Sequence, residues 1–160
     1  MKQTQVDKYT IAWFKIAECV SRGEKERALG VYRLLSHSFN DTAVSHQLEG
    51  DIYYSFGEEK LAISLYQQSM ELYQKSQRFL EAVAVAEHLL SMLPDDLILR
   101  REAIKLYTLL GNMSKMKLHT QKVLDSMILM GREHSIQEFL AMIHEISDEL
   151  YEYALSYTQC

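Results

Sequence analysis

Apolar and polar residues alternate along most of the chain with the spacing of an amphipathic α-helix. Between positions 59 and 75 the apolar side chains recur every three or four residues, at Leu61, Ala62, Leu65, Tyr66, Met70 and Tyr73. This spacing places them on one face of a helix. Similar stripes run through the rest of the chain, and one of them ends at Phe39. We predict helices over 5–21, 24–39, 43–56, 59–75, 78–93, 96–110, 114–130 and 134–157, with a break in the last near Ser147.

Helix-breaking and helix-capping residues fall between these stripes. Glycines stand between segments at positions 23, 57 and 111, and Pro94 ends another. Asp96 and Ser135 are predicted N-caps, the latter with Glu138 three residues on as a capping box. One proline and six glycines in 160 residues are too few for a chain of short strands and tight turns. The pattern therefore predicts an all-α protein.

Comparison of the chain with itself shows a displacement of 34 residues. A helix pair with its turns uses about 34 residues, and small side chains are needed where two helices cross closely. Aromatic side chains then fill the space beside the small ones. The matched pairs are Gly23 with Gly57, Ala28 with Ala62, and Tyr32 with Tyr66.

The segment 43–76 resembles a tetratricopeptide repeat. The resemblance rests on a small residue and a tyrosine in the first helix and an alanine and an aromatic residue in the second: Gly50, Tyr53, Gly57, Ala62 and Tyr66. Weaker copies lie near 9–42 and 97–130, and the third carries Tyr107 and Gly111 at the spacing of Tyr53 and Gly57. The resemblance implies a right-handed α-solenoid of antiparallel helix pairs. We expect it to form one domain, 1–160, with an extra helix at 78–93 and a capping helix at 134–157.

The copies depart from the family pattern at several positions. His46 and Glu49 stand where tryptophan and leucine are usual, and the closing proline of that copy is Gln74. The first copy has Cys19 in place of the tyrosine, and the third has Met116 in place of the alanine. Residues 63–96 can also be aligned as a repeat, which requires the order of first and second helices to change near position 77. The sequence leaves two explanations open, a displaced helix 78–93 or a local change of superhelical direction.

The net charge of −5 is unevenly distributed. Residues 97–132 carry 7 basic and 2 acidic side chains, whereas 133–160 carry 6 acidic and no basic ones. An acidic chain with few aromatic residues near its basic block is not typical of nucleic-acid binding. We expect the two oppositely charged blocks to pair, either within one molecule or between two.

Residues with catalytic or ligand-binding chemistry do not cluster in the sequence. The glycines form no phosphate-binding loop, and the nearest approach to metal spacing is His134 with Glu138 and His144 with Asp148. Cys19 falls on a predicted buried helix face. We expect no cofactor, no metal and no enzymatic activity. The polar N-terminus and two widely separated cysteines indicate a cytoplasmic protein, and no membrane association is expected.

The resemblance to tetratricopeptide repeats implies a protein–protein interaction module, an adaptor or a chaperone. Such proteins bind a peptide or a helix of a partner protein on the concave surface formed by the first helices of the pairs. The alternative is a structural module whose groove is filled by its own C-terminal helix or by a second copy, as in a homodimer. Trp13 belongs either to the core or to such a groove. The positions expected to face the concave surface are Gln47, Asp51, Tyr54, Arg101, Lys105 and Thr108.

Overall fold

The computed structural model describes residues 5–37 and 40–159, with the side chains of residue 11 and of residues 13 onward within those ranges. Phe39 and Cys160 lie outside the described residues. Over this part of the chain the protein is all-α, with nine helices whose neighbours pack in sequential pairs. The helices are α1 (Gln5–Ser21), α2 (Lys25–Ser36), α3 (Thr42–Ser55), α4 (Glu59–Lys75), α5 (Phe79–Met92), α6 (Leu97–Leu109), α7 (Met113–Leu129), α8 (Glu133–Ile146) and α9 (Asp148–Thr158).

Each predicted segment is helical, and the last divides at Ser147 as the sequence indicated. The Ser147 hydroxyl caps α9 by accepting a hydrogen bond from the backbone N–H of Leu150 at 3.3 Å. The predicted cap at Asp96 is confirmed, since its carboxylate accepts from the N–H of Leu99 at 2.9 Å. The predicted cap at Ser135 is wrong. Arg132 occupies the N-cap position and α8 begins at Glu133, so Ser135 lies inside the first helical turn.

Five helix connections share one backbone turn, in which a residue with positive φ precedes the next helix. Glycine occupies this position at 23, 57, 111 and 131, with φ between 63° and 75°. Glycine adopts this left-handed conformation without a steric penalty. Gln77 is the non-glycine exception, with φ of 58°. The turn residues are separated alternately by 34 and 20 positions, so this turn stands at both ends of α4, the helix that the sequence allowed in either order.

The chain divides into two compact units, Met1–Ser76 and Gln77–Cys160. In the first, α1 packs on α2, α2 on α3, and α3 on α4. Its core includes Ile16, Cys19, Tyr32, Leu48 and Ile52. Burial of Cys19 confirms the prediction that this thiol belongs to the core.

The tyrosines of α4 fix this helix against α3. The Tyr66 hydroxyl donates to Asp51 at 2.7 Å, and the Tyr73 hydroxyl donates to Gln47 at 2.9 Å. Both rings are buried, so their polar ends need these partners. Each bond therefore holds a side chain of α3 in a defined position.

In the unit Gln77–Cys160, successive helices from α5 to α9 pack on one another, and α9 also packs on α7. The apolar face of α9 is buried through Leu150 and Ala154. Lys117 of α7 pairs with Glu149 of α9 at 2.8 Å. This ion pair confirms that the basic and acidic blocks meet within one molecule. Among the described residues no helix is both long enough and apolar enough to cross a membrane.

An apolar groove between α1 and α3

A groove of about 300 Å³ lies between α1 and α3 in the unit Met1–Ser76. Each helix contributes a stripe of residues at relative positions 0, 3, 4 and 7, which share one face of an α-helix. Ser21 completes the lining at the end of α1. The stripes consist of Trp13, Ile16, Ala17 and Val20 from α1, and Leu48, Asp51, Ile52 and Ser55 from α3.

The groove has a buried apolar floor and exposed walls. Ile16, Leu48 and Ile52 form the floor and belong to the core of this unit. Trp13, with 44% of its surface exposed, and Ala17 form the wall on α1. An exposed tryptophan above an apolar floor provides a large contact surface with a polar indole N–H at its edge.

Asp51 is the charged residue among those lining the groove. Its orientation is set by the hydrogen bond from Tyr66, whose pKa is raised by burial and by this carboxylate. Helix α3 contains Glu49 and Asp51 and has no lysine or arginine. This wall of the groove therefore presents negative charge.

The structure places the predicted residues of α3 in different surroundings. Asp51 lines the groove. Gln47 accepts the hydrogen bond from Tyr73 of α4, and Tyr54 is exposed without lining the groove. One of these three predicted positions thus contributes directly to the groove.

The predicted residues of α6 belong to the unit Gln77–Cys160. The Arg101 guanidinium lies 5.4 Å from the ring centre of Phe139. Lys105 pairs with Glu102 at 3.4 Å, and the Thr108 hydroxyl donates to the carbonyl oxygen of Ile104 at 2.9 Å. These contacts of Arg101, Lys105 and Thr108 all lie within this unit.

Several groove residues were not singled out from the sequence, notably Ala17 and Ser55. Trp13 was recognised only as a residue of either the core or a groove. The available signal was the stripe at positions 13, 16, 17 and 20, which share one face of α1. A small residue such as Ala17 carries no chemical signature, so its role depends on the neighbouring helix.

The unit Gln77–Cys160 contains a second polar centre around Glu87 of α5. Its Oε1 accepts hydrogen bonds from Tyr107 at 2.6 Å, His119 at 3.1 Å and Lys115 at 3.2 Å. Burial raises the pKa of Glu87, but the three donors outweigh it and lower that pKa to about 2. His119 is only 2% exposed, and burial lowers its pKa despite the favourable contact with Glu87. This arrangement holds α5, α6 and α7 together and leaves the imidazole inaccessible to a substrate.

Histidine–carboxylate pairs at the two predicted positions are exposed. His134 lies 3.3 Å from Glu138, and His144 lies 3.5 Å from Asp148. Each pair supplies two groups, whereas a protein metal site commonly has three or more protein ligands. In the part of the chain that the structure describes, no three histidine, cysteine or acidic side chains are placed so that they could hold a metal ion.

No protein-family model matches the sequence, and comparison with curated proteins found no match.

Proposed function

We propose that this protein is a protein–protein interaction module whose groove between α1 and α3 binds an apolar segment of a partner protein. The observation that carries the proposal is the exposed Trp13 beside a floor of Ile16, Leu48 and Ile52. Burial of such a surface by a partner removes apolar area from water, which is the main favourable contribution to most protein association.

The volume of the groove suits the binding of side chains from a partner protein. Its volume of about 300 Å³ is about twice that of the roughly 150 Å³ apolar cavity that holds one benzene molecule. It can therefore accept about two large apolar side chains. Tryptophan is also enriched among the residues that contribute most to protein interfaces, because one ring buries much area at low entropic cost.

We further propose that the helix pairs are of tetratricopeptide type. Glycines at the turns 34 residues apart and the small residue Gly50 against Tyr66 support this interpretation. In that family the first helices of the pairs line the binding surface. Helices α1 and α3 are the first helices of the pairs α1–α2 and α3–α4, and they line this groove. An adaptor or chaperone role follows from such a surface.

A photo-crosslinking amino acid at Ala17 tests the proposal directly. Ala17 is exposed and lines the groove, so the change leaves the core intact. The same amino acid at Leu34, exposed on α2, is the matched control. On irradiation in a lysate from the source cells, we expect discrete protein adducts from position 17 and not from position 34.

A second substitution should remove these adducts. Ser55→Trp places a large ring in the groove from the α3 side, since Ser55 is an exposed lining residue. Loss of the adducts from position 17 in the Ser55→Trp variant would support the proposed function. This holds whether the captured protein is another copy of this chain or a different protein. Equal labelling from positions 17 and 34, or adducts unaffected by Ser55→Trp, would overturn it.

A further inference from the structure

Three consecutive apolar residues are exposed where α7 meets α8. Leu129 is 88% exposed, and both Ile128 and Met130 are about half exposed. Gly131 turns the chain, and Arg132 follows at the surface. Arg132 forms no ion pair with a described residue. We call residues 128–132 the apolar turn.

The apolar turn exposes a continuous run of apolar residues and not a single one. Single exposed leucines and isoleucines are normal on protein surfaces, and Leu34 and Ile98 are examples here. A run of three is unusual unless it has a function, because adjacent exposed apolar side chains promote association with other apolar surfaces. Such a run marks a surface at which another apolar surface can bind.

We propose that the apolar turn of one molecule docks in the groove between α1 and α3 of a second copy. This inference rests on the proposed function and names its partner. The apolar side chains of the turn match the apolar floor of the groove, and Arg132 complements Asp51 on its wall. Complementary charge at the edge of an apolar contact fixes its orientation.

The C-terminal helix of the same chain is excluded as the occupant by its own contacts. The C-terminal helix α9 already buries Leu150 and Ala154 in its own unit, so its apolar face is engaged. In the single chain, by contrast, Leu129 is exposed and the groove is open. Each molecule therefore carries both the groove and the apolar turn as complementary surfaces.

This arrangement allows two assemblies. Two copies that exchange apolar turns form a closed dimer with two identical contacts, whereas contacts in one direction form an open chain of molecules. Because the groove accepts only about two large side chains, we expect a weak contact, with association at micromolar concentrations. Both assemblies require the same pair of surfaces.

Light scattering coupled to size-exclusion chromatography, in reductant and over a concentration series, tests the proposal. The wild-type chain should reach at least twice the monomer mass. Ala17→Arg blocks the groove and Leu129→Glu removes the apolar turn, and each variant alone should remain monomeric. Mixed in equal amounts they should form a 1:1 dimer, because the first still has its apolar turn and the second its groove.

Matched controls separate this contact from general surface effects. Leu34→Arg and Ile98→Glu change equally exposed residues outside both surfaces and should leave association unchanged. Arg132→Glu should weaken association by about fivefold, as expected for a charge pair at an interface edge. Circular dichroism of each variant establishes that the helices are intact.

A monomeric wild type at all concentrations, or a failure of the two variants to form a dimer on mixing, would overturn the second-copy inference. The proposed function would still stand if Ala17 crosslinks to a different protein in the groove. It would fall together with the inference if the groove captures nothing. The two experiments therefore distinguish an incorrect partner from an incorrect function.

Discussion

The backbone of Gly50 in α3 lies against the ring of Tyr66 in α4, so closely that a Cβ atom at Gly50 would be 2.8 Å from Tyr66 Cε1. The ring cannot move aside easily, since it is 1% exposed and its hydroxyl is bonded to Asp51. Asp51 in turn lines the groove. This close approach therefore couples the packing of α3 on α4 to the orientation of the charged residue in the groove.

Replacing Gly50 by alanine should destabilise the protein, although alanine favours helices by about 1 kcal/mol over glycine. The new methyl group would overlap the fixed Tyr66 ring, and overpacking of this kind costs about 1–3 kcal/mol. Gly30→Ala is the control, because a Cβ in that helical position meets no atom within 4 Å. Urea unfolding should give opposite signs for the two variants. Equal stabilisation by both would show that Tyr66 does not restrict position 50.

Gln77 is a site where glycine should stabilise the protein. Its φ of 58° falls in the left-handed region, which costs a non-glycine residue about 1 kcal/mol or more. Gln77→Gly should increase the free energy of unfolding by about 0.5 kcal/mol, after the greater chain entropy of unfolded glycine is subtracted. Gly57→Gln, the reverse change in an equivalent turn, should decrease it by about 1 kcal/mol. Thermal unfolding of both variants provides the comparison, and stabilisation by Gly57→Gln would contradict it.

Stability should fall as the pH falls, first through His119. Burial lowers its pKa below 6.5, the cations of Arg100 and Lys115 act in the same direction, and Glu87 opposes them. The unfolded chain therefore binds a proton near pH 6.5 that the folded chain does not, which favours unfolding below that pH. His119→Gln should flatten the dependence between pH 7 and pH 5, measured by chemical unfolding.

Below pH 4.5, Glu87 should make the largest contribution to the pH dependence of stability. Its pKa is lowered from 4.5 to about 2, so its contribution is present above pH 4.5 and is lost as the pH falls toward 2. With allowance for partial exposure, this amounts to about 2 kcal/mol. Glu87→Gln should lower stability at pH 7 and reduce the loss between pH 4.5 and pH 2.5. An unchanged acid profile would show that the contacts from Tyr107, Lys115 and His119 do not stabilise the carboxylate.

The sequence predicted the helices because their limits depend on local chemistry. Glycines at the turns, the Asp96 cap and the Ser147 break each act through neighbouring backbone atoms. Ser135 shows the limit of this reasoning, since the turn at Gly131 starts α8 earlier than the serine does. The turn at Gln77 was visible as a change in helix order but not as a left-handed residue, because glutamine does not signal one.

The groove could be predicted only in part because it depends on how α1 and α3 approach each other. Asp51 was assigned to a binding surface from its position on the first helix of a pair, and it lines the groove. Gln47, one turn away, instead accepts a hydrogen bond from Tyr73. Helical spacing gives the direction of a side chain, but the partner it meets is set by tertiary packing. Ala17 and Ser55 are groove residues for the same reason.

The central claim is that the apolar turn of one copy docks in the groove of another, and the fluorescence of Trp13 tests it most directly. Trp13 is the only tryptophan of the chain, and it lines the groove. A Trp13→Phe chain, which does not contribute tryptophan emission, is titrated into a fixed amount of wild-type protein, with Trp13→Phe/Leu129→Glu as the control. Docking of the apolar turn in the wild-type groove predicts a blue shift and reduced acrylamide quenching with the first titrant and no change with the second. Unchanged emission with both titrants, or equal shifts with both, would contradict the account.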